Sequence, residues 1–193
     1  MSGYDFTGVA EWSRIPGWFD LHKAIAVQQI VKQLAPGATL VELGSFQGRS
    51  SVAIAAVLPP SSVLHCVDHF KGSVEHKDMK VDLSNLAGSF QANIEAFGVN
   101  DRIRMLAMST TEAALRFQLE SVDLILLDAS HDFDSVNKDL DNWYPKLKHR
   151  GFLVCDDYEP AWPGVMQAID AMGLKGELIA RALWLHRKLV AGS

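Results

Sequence analysis

The chain has few cysteines, no basic block and no long hydrophobic run, and each lack removes a class of function. Two cysteines, Cys66 and Cys155, cannot make a disulfide-rich scaffold in 193 residues. Each lies inside an apolar run that reads as a strand, so both are expected to be buried thiols. A stray disulfide and a reactive thiol are the other readings. No apolar stretch approaches the roughly 20 residues that a membrane span needs. Residues 1–5 show no basic region leading into an apolar one, so no export signal is expected and a cytoplasmic, reducing location is the default. Eighteen Lys and Arg against 23 Asp and Glu leave a net charge of −5. That balance lacks the electrostatic footprint of a dedicated nucleic-acid binder.

What is present is the composition of a globular protein, 48% hydrophobic and 21% charged, which excludes wholesale disorder. The length fits one domain over residues 1–193, with enough chain for a single core. Short β-branched runs alternate with helical patterns along the sequence. Strands are expected at residues 39–43, 63–67, 102–106, 122–127 and 151–155, with one or two closing strands in 177–190. Helices are expected at about 19–34, 48–58, 82–97, 110–119, 134–147 and 164–172. Near-continuous apolar strands between helices predict a doubly wound, Rossmann-like α/β fold, a mostly parallel sheet covered on both faces. The segment Trp12–Phe19 reads either as a hydrophobic clasp for the N-terminus or as a lid over a ligand site.

In such sheets ligands bind outside the carboxyl ends of the strands, so chemistry is sought there. The first strand runs into Glu42-Leu43-Gly44-Ser45-Phe46-Gln47-Gly48-Arg49-Ser50. Gly44 and Gly48 let the backbone turn tightly against a ligand, and the next helix points free N–H groups at it. A P-loop is excluded by spacing and by Arg49-Ser50 where Lys-Ser is needed. The dinucleotide fingerprint is broken by Phe46 at its second glycine. Glu42, two residues before the first glycine, suits a cationic, amino-acid-bearing ligand better than a pyrophosphate. The second strand ends in Asp68-His69-Phe70, where an acid can accept both hydroxyls of a ribose. A solvent-facing Asp in a turn is the plainer reading.

Two further strand ends carry acids: Asp128-Ala129-Ser130-His131-Asp132-Phe133 and Cys155-Asp156-Asp157-Tyr158. Adjacent parallel strands would bring Asp128, Asp156 and Asp157 together, where they repel unless protonated, hydrogen-bonded or bridged by a cation. Carboxylates in this number suit magnesium. The other reading is that the acids cap helices and bind polar ligand groups with no metal, Asp132 or Asp134 being placed to cap the next helix. An unperturbed histidine titrates near neutral pH, so His131 can take a proton from a substrate hydroxyl; its alternative role is to position the acids.

Together these residues resemble the class I S-adenosylmethionine-dependent methyltransferases. The likeness is greatest to the small-molecule O-methyltransferase branch with its macrocin-type sugar and catechol-type enzymes. It runs from about Trp18 to Tyr158, and the two acid-bearing strand ends are its most specific part. The resemblance implies S-adenosylmethionine as cofactor, with Gly44, Ser45 and Gly48 along its methionine part and Glu42 supporting that end. Asp68, with His69 beside it, would bind the ribose. Met108 and Ser109 would contact adenine, and Asp128 would face the same ligand. It further implies Asp128, Asp156 and Asp157 as magnesium ligands and His131 as catalytic base, with a hydroxyl-bearing small molecule as acceptor. The N-terminal segment and loops 71–81 and 159–163 are expected to set acceptor choice. With little room for a separate substrate domain, a partner subunit in a homodimer is one way to complete the pocket. A metal-independent methyltransferase, a non-catalytic nucleotide-binding or regulatory module, and a dinucleotide-dependent oxidoreductase stay open as alternatives.

Overall fold

The structure is a computed structural model and describes residues 9–72 and 82–189. Most of the 71–81 loop, to which acceptor choice was assigned, lies outside the described residues. Seven strands among them form one sheet: β1 (Thr39–Leu43), β2 (Val63–Asp68), β3 (Ile103–Ala107), β4 (Val122–Leu127), β5 (Leu147–Cys155), β6 (Glu177–Ala180) and β7 (Leu183–Arg187). Their order is β3-β2-β1-β4-β5-β7-β6. The first five are parallel, and β7 runs antiparallel to both β5 and β6. The doubly wound, mostly parallel sheet read from the alternation of runs is therefore present. The strand order reverses between β1 and β4, which opens a crevice at their carboxyl ends.

Strand alternation feeds two cores. Leu40, Leu64, Cys66, Leu124, Leu126 and Val154 point to one face. There they meet α2 (Leu21–Val31), α3 (Arg49–Ala55) and α4 (Leu86–Ala96) through side chains such as Val27, Ile54 and Phe90. Val41, Leu43, Ile125, Leu127, Leu153 and Cys155 point to the other face. There they meet α5 (Thr110–Ala114), α6 (Phe133–Trp143) and α7 (Pro163–Ala171) through Ala113, Leu140, Trp143 and Ile169. Each fully buried aliphatic side chain contributes roughly 1.5–3 kcal/mol of transfer free energy. Both cysteines are free and buried, one in each core.

Boundaries differ from expectation where local chemistry intervenes. Helix α5 stops at Ala114 rather than near 119, because Arg116 and Phe117 switch to i−3 hydrogen bonds and Phe117 folds onto Trp143. Helix α6 ends at Trp143, since Pro145 has no N–H to continue the i−4 ladder and a 3-10 turn over Tyr144–Lys146 follows. Strand β5 starts at Leu147, four residues early, pairing with Val122 before a register shift.

Ahead of the sheet, α1 (Val9–Trp12) leads into the segment that reaches α2. Trp12, Ile15 and Phe19 are buried in the core that α2 and α3 share. Asp20 caps α2 by accepting from the Lys23 backbone N–H. No helix among the described residues is long and apolar enough to cross a membrane.

Candidate active site

The loop after β1 is shaped by three residues with positive φ: Gly44 at 86°, Phe46 at 45° and Gly48 at 87°. A Cβ on Gly44 would lie 2.1 Å from the Asp128 carbonyl oxygen, and one on Gly48 would lie 3.1 Å from the Phe90 ring. Phe46 stands where the fingerprint has its second glycine and adopts the left-handed conformation that such a glycine favours. That costs a non-glycine residue roughly 1–2 kcal/mol. Its ring packs 5.7 Å from that of Trp18, in the N-terminal segment.

Asp68, at the end of β2, holds this loop. Its Oδ2 accepts the backbone N–H groups of Ser45 (3.1 Å) and Phe46 (2.9 Å), and its Oδ1 accepts that of Phe70 (2.6 Å). Glu42 lies beneath the loop, fully buried, accepting from the Ser51 hydroxyl. Burial pushes its carboxyl pKa up, against the serine hydroxyls around it.

Two adjoining cavities follow the carboxyl ends of the strands. The smaller, about 220 Å³, is lined by Asp68, His69, Met108, Ser109, Thr110 and Asp139. The larger, about 680 Å³, is lined by Trp18, Lys23, Arg49, His131, Asp157 and Trp162. Gly44, Phe46, Asp68 and Ala129 border both, so Asp68 sits at the waist of one elongated cleft.

In the larger cavity the acids of β4 and β5 meet. Donor atoms of Asp128, His131 and Asp157 lie within 4.8 Å of one another. His131 Nε2 is 2.9 Å from Asp157 Oδ2, and the His131 ring lies 4.3 Å from that of Trp162. Asp157 has φ 57°, a strained conformation for a non-glycine residue and one concentrated at functional sites. Its backbone N–H donates to Asp156 Oδ1 (2.8 Å). Asp156 stands apart from the other acids, because Lys23 Nζ reaches its Oδ1 at 2.5 Å. The same ammonium is 3.5 Å from Asp157 Oδ1.

The electrostatics follow this geometry. Burial pushes Asp156 up to about 6 although Lys23 opposes it. Burial and then the neighbouring Asp156 and Asp157 push Asp128 well above the usual carboxylate range. Burial acts likewise on Asp157, but the hydrogen bond from His131 and the Lys23 charge outweigh it and hold Asp157 below that range. Burial works against the Lys23 ammonium, yet the three acids together raise its pKa and keep it charged.

Of the residues picked out from sequence, the cleft gathers Gly44, Ser45, Asp68, His69, Met108, Ser109, Asp128, His131, Asp156 and Asp157. Glu42 and Gly48 line neither cavity and shape the loop instead. Asp132 caps α6 through the Ser135 N–H. Sequence reading passed over Lys23, Arg49, Thr110, Asp139 and Arg181, all of which line the cleft. For Lys23 a signal existed: at i, i+4 and i+7 it shares the apolar stripe of Val27 and Ile30, an odd place for a lysine without a partner.

A seven-stranded sheet of this order, with a glycine loop, a β2 acid and a cleft across the switch point, defines the class I methyltransferase fold. The family described as "Methyltransferase domain" matches residues 41–158, and the chain belongs to it. No curated protein sequence matches. Solved structures agree on the fold. A protein from Corynebacterium glutamicum superposes with a TM-score of 0.73 at 16% identity, over 98% of this chain and 93% of that one. The O-methyltransferase NovP gives 0.67 at 18%, over 88% and 81%. An O-methyltransferase from Bacillus cereus in complex with SAH gives 0.64 at 15%, over 95% and 89%. The resemblance to class I methyltransferases is thus borne out in family and fold.

Proposed function

We propose that the chain transfers a methyl group from S-adenosylmethionine to a hydroxyl of a small molecule, a sugar, polyol or catechol-like compound. The observation that carries this reading is the single cleft with Asp68 at its waist and the His131–Asp157 pair in its wider half. The neighbours named O-methyltransferases, one of them holding SAH, support it.

The cleft fits the cofactor. Asp68 keeps acceptor capacity on Oδ1 for a ribose hydroxyl beyond the three backbone N–H groups it already accepts. Met108 and Ser109 border the narrow end, sized for adenine, and Gly44 and Ser45 lead from the waist into the wide half, where Asp128 stands. When bound, S-adenosylmethionine supplies an electrophilic sulfonium methyl. The acceptor oxygen forms the new O–C bond, its proton passes to His131, and the electrons of the broken S–C bond remain on sulfur. The Asp157 carboxylate, 2.9 Å from His131 Nε2, orients the imidazole and stabilises the charge it gains on taking the proton. The Trp162 ring packs against that imidazole. Alignment of acceptor and methyl supplies much of the rate, roughly 7–11 kcal/mol in well-oriented systems.

Magnesium fits this donor set poorly. The group that converges includes an imidazole, whereas magnesium takes oxygen ligands, and the remaining acid is occupied by an ammonium. No step is assigned to a metal.

Calorimetric titration of S-adenosylhomocysteine into chelator-treated protein, with NADH as control, tests the reading. Saturable binding of the first and not the second is expected. Binding of NADH alone, or of neither, would overturn it.

A further inference from the structure

Lys23 is the one cation buried at the acid cluster among the described residues, 6% exposed. It comes from α2, outside the segment that matches the family, and crosses to the carboxyl end of β5. A buried lysine is retained at such a position only when paired. Here it is paired twice, at 2.5 Å with Asp156 and 3.5 Å with Asp157. An ammonium carries three N–H donors, and two are taken by these carboxylates. The third remains, and Lys23 borders the same cavity as His131 and Asp128.

The helix is fixed in this position from both sides. Asp20 caps its first turn, and Arg49 donates to the Gly17 carbonyl at 2.5 Å. Arg49 also lies over the Trp12 ring. The ammonium is therefore placed by the fold and not by a mobile arm.

Resting on the methyltransferase reading above, we propose that Lys23 is the resident cation of this site. It stands in place of a divalent metal at the two acids that follow β5 and offers its remaining N–H to the acceptor's oxygen. A fixed positive charge within 4 Å of Asp156 and Asp157 repels a second cation there. It also does the work a metal would do on the acceptor: it holds the oxygen and favours loss of its proton to His131. Lys23 itself stays protonated throughout.

The test is manganese binding followed by the paramagnetic signal of free Mn²⁺, in the full chain saturated with S-adenosylhomocysteine. Wild type is expected to leave the signal unchanged. Lys23→Met, which keeps the length and removes the charge, is expected to gain one saturable site, with affinity raised about tenfold or more. Asp157→Asn in that background should abolish the gain. One manganese ion bound by wild type and lost in Asp157→Asn would overturn the proposal, as would a folded Lys23→Met that gains nothing. Should Lys23→Met not fold, Lys23→Gln replaces it and is read by the same two outcomes. Binding of S-adenosylhomocysteine by metal-free wild type, measured on the same samples, upholds the cofactor reading whichever way the manganese result falls.

Discussion

Gly44 and Asp128 meet backbone to backbone, so close that a Cβ on the glycine would lie 2.1 Å from the aspartate carbonyl oxygen. The contact locks the turn after β1 onto the end of β4, where the Asp128 N–H already donates to Leu43. Gly44→Ala is therefore expected to cost about 2 kcal/mol or more, from the clash and from a φ of 86°. Urea unfolding should show a lower midpoint, and calorimetry a weakened response to S-adenosylhomocysteine. An unchanged midpoint would contradict the contact.

His131→Ala should lower methyl-transfer turnover by about 10²-fold or more, with S-adenosylhomocysteine affinity kept. His131 lines the wide half of the cleft and not the narrow one, so binding and chemistry separate at this residue. Steady-state transfer to a competent acceptor reads the first quantity and calorimetry the second. Equal rates would remove His131 from the reaction.

Asp68→Ala should do the reverse of His131→Ala. It removes the ribose acceptor and leaves the N–H groups of Ser45, Phe46 and Phe70 without their partner. Loss of charge-assisted hydrogen bonds costs roughly 1.5–3 kcal/mol each. Affinity for S-adenosylhomocysteine should fall by about tenfold or more, and calorimetry at matched concentrations measures it.

Much of this was legible before any coordinates. Thr39–Leu43 and Val122–Leu127 coincide with the strands read from sequence, because buried parallel strands are continuous apolar runs. The acids at strand ends were equally plain, since a charge directly after such a run has few structural uses. Lys23 was not, because pairing across 134 residues to Asp157 leaves no local pattern beyond one lysine on an apolar stripe. The early start of β5 was missed because Lys148, His149 and Arg150 look like a loop; they span the register shift between Leu147, paired with Val122, and Phe152, paired with Leu124.

Asp139 gives a pH signature in stability. It is buried, accepts from the Thr110 hydroxyl, and is pushed up to about 6 by burial. A carboxyl raised in the fold favours its protonated form there. Its cost to stability is absent below the unfolded value near 4, grows as pH rises towards 6 and is constant above. Asp139→Asn, neutral and still able to accept from Thr110, should match wild type near pH 4 and be the more stable above pH 7. The shift corresponds to roughly 3 kcal/mol at full effect. Melting temperatures across that range provide the measurement, and a difference independent of pH would show that Asp139 is not the group responsible.

The pairing of Lys23 with Asp156 has one more consequence, which concerns time and not charge. Lys23 and Asp156 lie 133 residues apart in the sequence, and the ribosome makes Lys23 first. Contacts this distant in sequence close late in folding. A chain whose β5 has not docked thus carries a glycine turn and a sheet edge, but Lys23 without its counter-charges. Only when β5 takes its place beside β4 does α2 find its partners. On the methyltransferase reading, turnover would therefore report that α2 and the end of β5 have met.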